Sequence, residues 1–118
     1  MPAKFTVSDH GDVTIIKMIG RATWVEGAKE LYQHVSDQVD RGRTKIVLDM
    51  SNVNYIDSGG LGYLVTAYAK VANKRGILVV ADLTPRLRDS ITNSTLGKVM
   101  RMYDSVDNAI AGLKKTST

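Results

Sequence analysis

The residues best suited to chemistry in this sequence are Asp57 and Ser58, which are followed closely by three glycines. A compact apolar run at residues 46–48 precedes them, and a segment with helical spacing follows them. This pattern predicts a buried strand, a glycine-rich turn and a helix that begins near Ser58. The glycines disfavour a helix but remove side chains from its first turn, which leaves the serine hydroxyl open to a visiting molecule.

Catalytic explanations of this segment lack residues that they require. A P-loop has a lysine directly after its last glycine, whereas Tyr63 follows Gly62 here, and a dinucleotide fingerprint needs a third glycine that is missing. A hydrolase elbow needs a glycine where Ile56 stands. The candidate bases, His10 in a turn and His34 on the polar side of a helix, are better interpreted as surface histidines. We therefore expect no enzyme activity, no cofactor and no metal site.

Ser58 is instead suited to receive a phosphate. At a helix N-terminus a phosphate meets unpaired N–H groups and the positive end of the dipole, so the domain can carry it without unfolding. Its charge of about −2 would act on a partner, because that charge must be desolvated in an interface. If an unpaired charge in the interface costs about 2–5 kcal/mol, the affinity for the partner would fall roughly 25-fold to several thousand-fold. The simpler alternative is that Asp57 and Ser58 only cap the helix and the glycines only permit close packing.

The remaining elements predict one α/β domain in the order β-β-α-β-α-β-α-β-α. Strands alternate with helices, which predicts a mixed, mostly parallel sheet of about five strands with four helices. We expect the domain to span residues 1–118, with a core at about 5–113 and a frayed tail at 114–118. Strands are expected at residues 5–9, 13–19, 46–48, 77–81 and 99–103.

The segments between these strands carry turn and cap signals. Residues 20–24 break the second strand, and Thr23 is predicted to cap a helix that starts from Val25. Residues 51–54 are predicted to form a turn-rich link. Thr84 and the following proline should begin the third helix, and residues 104–105 should cap the last.

Composition and charge indicate which classes of partner and which cellular compartment to expect. The net charge is +4 and the basic residues are scattered, which favours a solvated surface over nucleic-acid binding. The chain has no cysteine, no apolar signal region and no apolar run of the roughly 20 residues that a membrane span needs. We expect a cytoplasmic protein without a membrane partner.

The same residues resemble a known family. Residues 46–49, 55–62 and 76–80, together with Thr84 and Pro85, are similar to the STAS-domain anti-sigma factor antagonists of bacteria, a likeness that extends over about residues 5–113. The resemblance implies a small sheet surrounded by helices, and a monomer or weak dimer. It also implies that Ser58 is phosphorylated by a partner that is both anti-sigma factor and serine kinase, of the histidine-kinase-like ATPase type. The unphosphorylated protein would bind that partner and free its sigma factor, and a PPM-type serine phosphatase would reset the switch.

Two departures from the family pattern affect the expected partner surface. Gly59 stands where a second serine or threonine is usual, and a loop that is usually acidic carries Arg21 and Trp24. Trp24 is interpreted either as a core or hydrophobic-staple residue against the first helix, or as an exposed anchor in the interface. The predicted partner-binding residues are Arg21, Thr23, Trp24, Asp57, Ser58, Gly59, Gly60, Leu61, Gly62, Asp82 and Thr84.

Three further functions stay open at this point. The chain could be a constitutive STAS scaffold subunit of a larger complex, which would carry no phosphate on Ser58. It could regulate an output other than a sigma factor, such as biofilm formation or secretion. A small nucleotide-binding or hydrolytic enzyme is the third alternative, and nucleotide binding that depends on Ser58 would support it.

Overall fold

A computed structural model describes residues 2–114 of the chain, which form five strands and four α-helices. The strands are β1 Lys4–His10, β2 Val13–Ala22, β3 Lys45–Ile56, β4 Ile77–Ala81 and β5 Met102–Tyr103. The helices are α1 Ala28–Asp40, α2 Ser58–Asn73, α3 Pro85–Thr92 and α4 Val106–Lys114, with a 3-10 helix at Thr95–Lys98. The predicted order of the strands and α-helices is confirmed.

One mixed sheet joins all five strands in the order β1-β2-β3-β4-β5. β1 and β2 form an antiparallel hairpin, and every later pairing in this sheet is parallel. The α/β class and the mostly parallel sheet are therefore confirmed. Because β2, β3 and β4 are parallel, their carboxyl ends lie at the same edge of the sheet, and α2 starts directly beyond the end of β3.

Helices cover both faces of the sheet. α1, α2 and α3 pack on one face against a core that includes Ile16, Leu48 and Val80. α4 packs on the other face against a smaller core that includes Val47 and Val79. The side chains at 46–48 are fully buried, which confirms that β3 is a central strand enclosed on both faces.

Two predicted strand breaks are wrong, because β2 and β3 are both longer than their sequences indicate. β2 continues to Ala22, and the supposed turn at residues 51–54 is part of β3. The two strands stay paired through this region, with Ile19 opposite Asn52, and irregular steps in the register absorb the extra residues of β3. Val53 is fully buried, so tertiary packing overrides the turn preference of its polar neighbours.

The predicted start of α1 is also wrong. Gly27, with φ of 91°, is the N-cap, and the helix begins at Ala28. The Glu30 carboxylate accepts a hydrogen bond from the Gly27 N–H at 3.2 Å. Thr23 instead closes the preceding turn, since its hydroxyl accepts from the Glu26 N–H and donates to the Glu26 carbonyl, both at 3.0 Å. A glycine with positive φ supplies the change of direction that a threonine cap does not.

The later caps agree with the sequence more closely. The Thr84 hydroxyl accepts from the Leu87 N–H at 3.3 Å and caps α3, whose first residue is Pro85. The Ser105 hydroxyl accepts from the Asn108 N–H at 3.0 Å and caps α4. Both predicted helix starts are confirmed.

The last strand and the tail differ from their predicted bounds. β5 covers only Met102–Tyr103 instead of residues 99–103, because the 3-10 helix occupies the chain up to Lys98 and leaves Val99 exposed. Lys114, expected in the tail, is the last residue of α4. Residues 115–118 lie outside the described residues.

Candidate functional site

The loops at the carboxyl ends of the parallel strands gather the predicted site residues at one edge of the sheet. Trp24 follows β2, Ser58 follows β3, and Asp82 follows β4. In open α/β sheets this edge is where binding sites form, since the strands end together and the loops beyond them are free to vary. Trp24, Ser58 and Asp82, all predicted to bind a partner, therefore lie at one end of the sheet.

Asp57 joins two of these loops through its carboxylate. Its backbone is extended, and its Oδ1 accepts from the Gly60 N–H at 2.7 Å, so it is the N-cap of α2. The same carboxylate accepts from the Trp24 N–H, at 3.1 Å to Oδ1 and 3.3 Å to Oδ2. One side chain therefore holds both the start of α2 and the loop after β2.

Gly59 and Gly60 allow this loop to lie directly against the first turn of α2. A Cβ on residue 59 would lie 2.5 Å from the Trp24 Cβ. A Cβ on residue 60 would collide with the Ala22 carbonyl oxygen and approach the Ile56 side chain to 2.8 Å. The absence of a second hydroxyl beside Ser58 thus has a packing reason, because Trp24 occupies the space that a serine at position 59 would need.

Ser58 lies in the open part of this region. It is the first residue of α2, and its side chain is exposed. Within residues 2–114 its hydroxyl has no hydrogen-bond partner. Ser58 also borders a shallow groove of about 550 Å³, which is lined by Trp24, Ser58, Gly59, Gly62, Tyr63 and Thr66.

Trp24 lines the groove with a largely exposed side chain. Two thirds of its surface is exposed, so its interpretation as a core residue is wrong and its placement on the surface is confirmed. Its ring lies 5.5 Å from the Tyr63 ring at a 31° angle, and Tyr63 lies 6.4 Å from Tyr32. This spacing is within the range of attractive aromatic pairs, so the Tyr63 ring supports one side of Trp24 while most of the indole stays exposed.

Arg21 and Leu61 occupy different surroundings from the groove. The Arg21 guanidinium lies 5.0 Å above the Tyr55 ring, in the cross-strand position that pairs the two residues. Neither residue of that pair lines the groove beside Ser58. Leu61 is half-buried and packs against the main core.

The remaining predicted partner residues divide by accessibility. Thr23 is buried and its hydroxyl is used within its turn. Thr84 uses its hydroxyl to cap α3, whereas Asp82 is exposed in the left-handed region, with φ of 61°. None of these three side chains lines the groove, so their part in partner binding stays a prediction.

Sequence reasoning did not place Tyr63 and Thr66 in the site. The signal was present in the helical spacing, because Ser58, Gly62 and Thr66 are four residues apart and so lie along one side of α2. The Thr66 hydroxyl donates to the Gly62 carbonyl at 3.0 Å. Tyr63 could be assigned to the groove only once the position of Trp24 was known.

The site combines an open groove with an exposed serine hydroxyl, and among the residues that the structure describes it lacks the groups that catalysis by that serine would need. The described lining of the groove contains no histidine, lysine or carboxylate that could act as a general base for Ser58. Both histidines lie elsewhere: His10 ends β1 opposite Val13, at the far end of β2 from Trp24, and His34 lies on α1 with its ring 4.5 Å from that of Phe5. Residues 2–114 contain no cluster of three or more metal-ligating side chains. No helix in that range combines the length and apolar character needed to cross a bilayer.

Comparison with known proteins is consistent with this geometry. Residues 4–109 match the family model of the STAS domain. An anti-sigma F factor antagonist of Paenibacillus polymyxa is 29% identical, and the alignment covers 99% of this chain and all of that protein.

Two solved structures have the same fold. An anti-sigma factor antagonist from Mycobacterium paratuberculosis superposes with a TM-score of 0.84 at 27% identity, covering 95% of this chain and 94% of that one. The Bacillus cell fate determinant SpoIIAA in its phosphorylated form superposes with a TM-score of 0.70 at 18% identity, covering 92% and 98%. The Paenibacillus and Mycobacterium proteins are both named as antagonists of anti-sigma factors.

Proposed function

The chain belongs to the STAS domain family, and from that premise we propose that it is an anti-sigma factor antagonist switched by phosphorylation of Ser58. Unphosphorylated, it binds an anti-sigma factor of the histidine-kinase-like ATPase type and releases the sigma factor held there. The same partner phosphorylates Ser58, and a PPM-type serine phosphatase removes the phosphate. This role belongs in the bacterial cytoplasm, where sigma factors direct transcription.

The observation that carries the proposal is the position of the Ser58 hydroxyl. It is exposed at the first residue of α2, beside a groove with an exposed tryptophan. A kinase can therefore reach the hydroxyl without unfolding the chain. A phosphate there would meet the N-terminal end of α2, where the helix dipole favours negative charge.

The effect of the phosphate would fall on the complex. Trp24 and the groove supply apolar contact area, and a phosphate of about −2 charge at its edge must lose water when a partner covers it. An interfacial charge without a counter-charge costs about 2–5 kcal/mol, which corresponds to roughly 25-fold to several thousand-fold in affinity. That loss is sufficient to separate the partners.

The test begins with the partner. Tagged Ser58→Ala chain is expressed in the cells from which the sequence comes, and retained proteins are identified by mass spectrometry. We expect a histidine-kinase-like ATPase, which is then purified. Calorimetry with that ATPase and ADP should give tight binding for wild type and Ser58→Ala, and about 25-fold or weaker binding for Ser58→Glu. With ATP, intact mass should show one phosphate on wild type and none on Ser58→Ala.

Ser8→Glu is the matched control, because it adds the same charge at an exposed serine of β1. It should bind as wild type does. Equal binding by Ser58→Glu and wild type would contradict the switch. Retention of one large complex regardless of residue 58, with no phosphate in native protein, would favour the scaffold function instead.

A further inference from the structure

Within α2, packing explains Gly59 and Gly60 but not Gly62. A Cβ on residue 62 would meet no heavy atom within 4 Å, and the position lies inside a regular helix. Glycine is less favourable than alanine in a helix interior, because it loses more backbone freedom on folding. The isolated chain therefore gains nothing from a glycine at this position.

The exposed face around Gly62 also lacks the charges that helices usually present to water. α1 packs on the same face of the sheet, and its exposed positions are Lys29, Glu30, Gln33, Asp37 and Asp40. The exposed positions of α2 are Ser58, Gly62, Val65, Thr66, Ala69, Ala72 and Asn73. Small or uncharged side chains thus cover the surface of α2 that continues from the phosphoacceptor.

Gly62 lines the groove together with Ser58 and Thr66, each four residues from it along α2, and with the paired rings of Trp24 and Tyr63. Ser58 lines the same groove, so a protein that reaches its hydroxyl also covers Gly62. A side chain at 62 would project into the volume that such a protein fills. The groove is therefore continuous with the interface that phosphorylation of Ser58 requires.

We propose that this groove receives an uncharged, apolar segment of the anti-sigma factor, and that Gly62 lacks a side chain so that this segment can contact the α2 backbone. The inference rests on the proposed function of Ser58. The described groove lining carries no charged side chain, so a charged segment would lose water there without gaining a counter-charge. An apolar segment instead gains contact with the aromatic rings of Trp24 and Tyr63, with Trp24 as its main contact.

The experiment uses the ATPase identified with the Ser58→Ala chain. Its affinity is measured by calorimetry for wild type, Gly62→Ala and Gly62→Leu. We expect Gly62→Leu to bind about 10- to 100-fold more weakly, because overpacking a well-fitted contact is unfavourable. Gly62→Ala should bind a few-fold more weakly while its midpoint of thermal unfolding rises. Weaker binding by a more stable variant separates a lost contact from a damaged fold.

Ala111→Leu is the matched control, since it enlarges an exposed helical residue on α4, across the sheet from α2. It should bind as wild type does. Wild-type affinity for both Gly62 variants, with binding still lost in Ser58→Glu, would overturn the groove proposal and leave the switch intact. If Ser58→Glu also bound normally, both would fail. A third outcome would be that the wild type forms dimers and that Gly62→Leu dissociates them without changing the affinity for the ATPase. That result would assign the groove to self-association and overturn the proposal.

Discussion

Polar side chains have different bonding partners at the two ends of the parallel strands. At the amino end, Arg43 donates to the Thr14 hydroxyl at 2.7 Å and to the Gly11 carbonyl at 2.9 Å, and it pairs with Asp9 at 3.2 Å. Lys45 reaches the Asp12 carboxylate nearby at 2.9 Å. The polar groups at this end bond to one another.

At the carboxyl end, one carboxylate binds backbone while the neighbouring groups stay accessible. Asp57 accepts from the N–H groups of Trp24 and Gly60, whereas Ser58 and the Trp24 ring are exposed. Polar side chains at the amino end thus bond to one another, whereas at the carboxyl end Asp57 positions a serine and an aromatic ring that both stay exposed.

Gly60→Ala should have the largest effect on stability. Its Cβ would collide with the backbone oxygen of Ala22, which cannot move as a flexible side chain does. We expect the free energy of unfolding to fall by about 3 kcal/mol, measured by urea denaturation. Gly62→Ala is the control in the same helix, with nothing near its Cβ, and it should gain about 0.5–1 kcal/mol. Equal effects at the two positions would mean that the loop after β2 does not lie against α2.

The sequence alone offered Asp57 and Ser58 as possible caps and predicted an accessible Ser58 hydroxyl, since a strand, a cap residue and a glycine-rich helix start are all local patterns. It missed the hydrogen bond that the Trp24 N–H donates to the Asp57 carboxylate, which joins residues 33 positions apart. The sequence also could not explain Gly59, because the contact that requires a glycine there comes from a loop distant in sequence.

The course of the strands shows the same limit. Polar residues at 51, 52 and 54 favour a turn locally, but pairing with β2 and burial of Val53 keep β3 extended. The sequence predicted Thr23 as the cap of α1, whereas the N-cap is Gly27, whose backbone angle φ of 91° the local residue pattern did not indicate. Local residue types do not determine long-range strand pairing or the backbone angles of individual residues.

Asp57→Ala tests whether the carboxyl end depends on one bridging side chain. It removes the cap of α2 and the acceptor for the Trp24 N–H, so we expect a loss of about 1–2 kcal/mol in unfolding free energy. Thr84→Ala removes a cap that serves only α3, and it should cost less, about 1 kcal/mol. Amide exchange at Trp24 should accelerate in Asp57→Ala and stay unchanged in Thr84→Ala. Unchanged exchange in both variants would remove the bridging role.

The smallest effect is expected at the amino end, where charge pairing should make stability depend on pH. The hydrogen bond from Lys45 holds the pKa of the Asp12 carboxyl below its ordinary value. The folded state therefore favours the charged carboxylate, and this stabilisation is complete above about pH 4 and lost as the pH falls through the folded pKa. Asp12→Asn should lower the midpoint of thermal unfolding slightly at pH 7, with a difference that closes in acid.

Salt and a variant at the other end supply the controls. The Asp12 side chain is largely exposed, so high salt at pH 7 should also close the difference between wild type and Asp12→Asn. Ser58→Ala removes an uncharged group, so any shift in its unfolding midpoint should be the same at pH 7 and pH 3. If Asp12→Asn lowered the midpoint equally at both pH values, the pairing would not be electrostatic. The contrast between a charge-paired end and a binding end would then lose its physical basis.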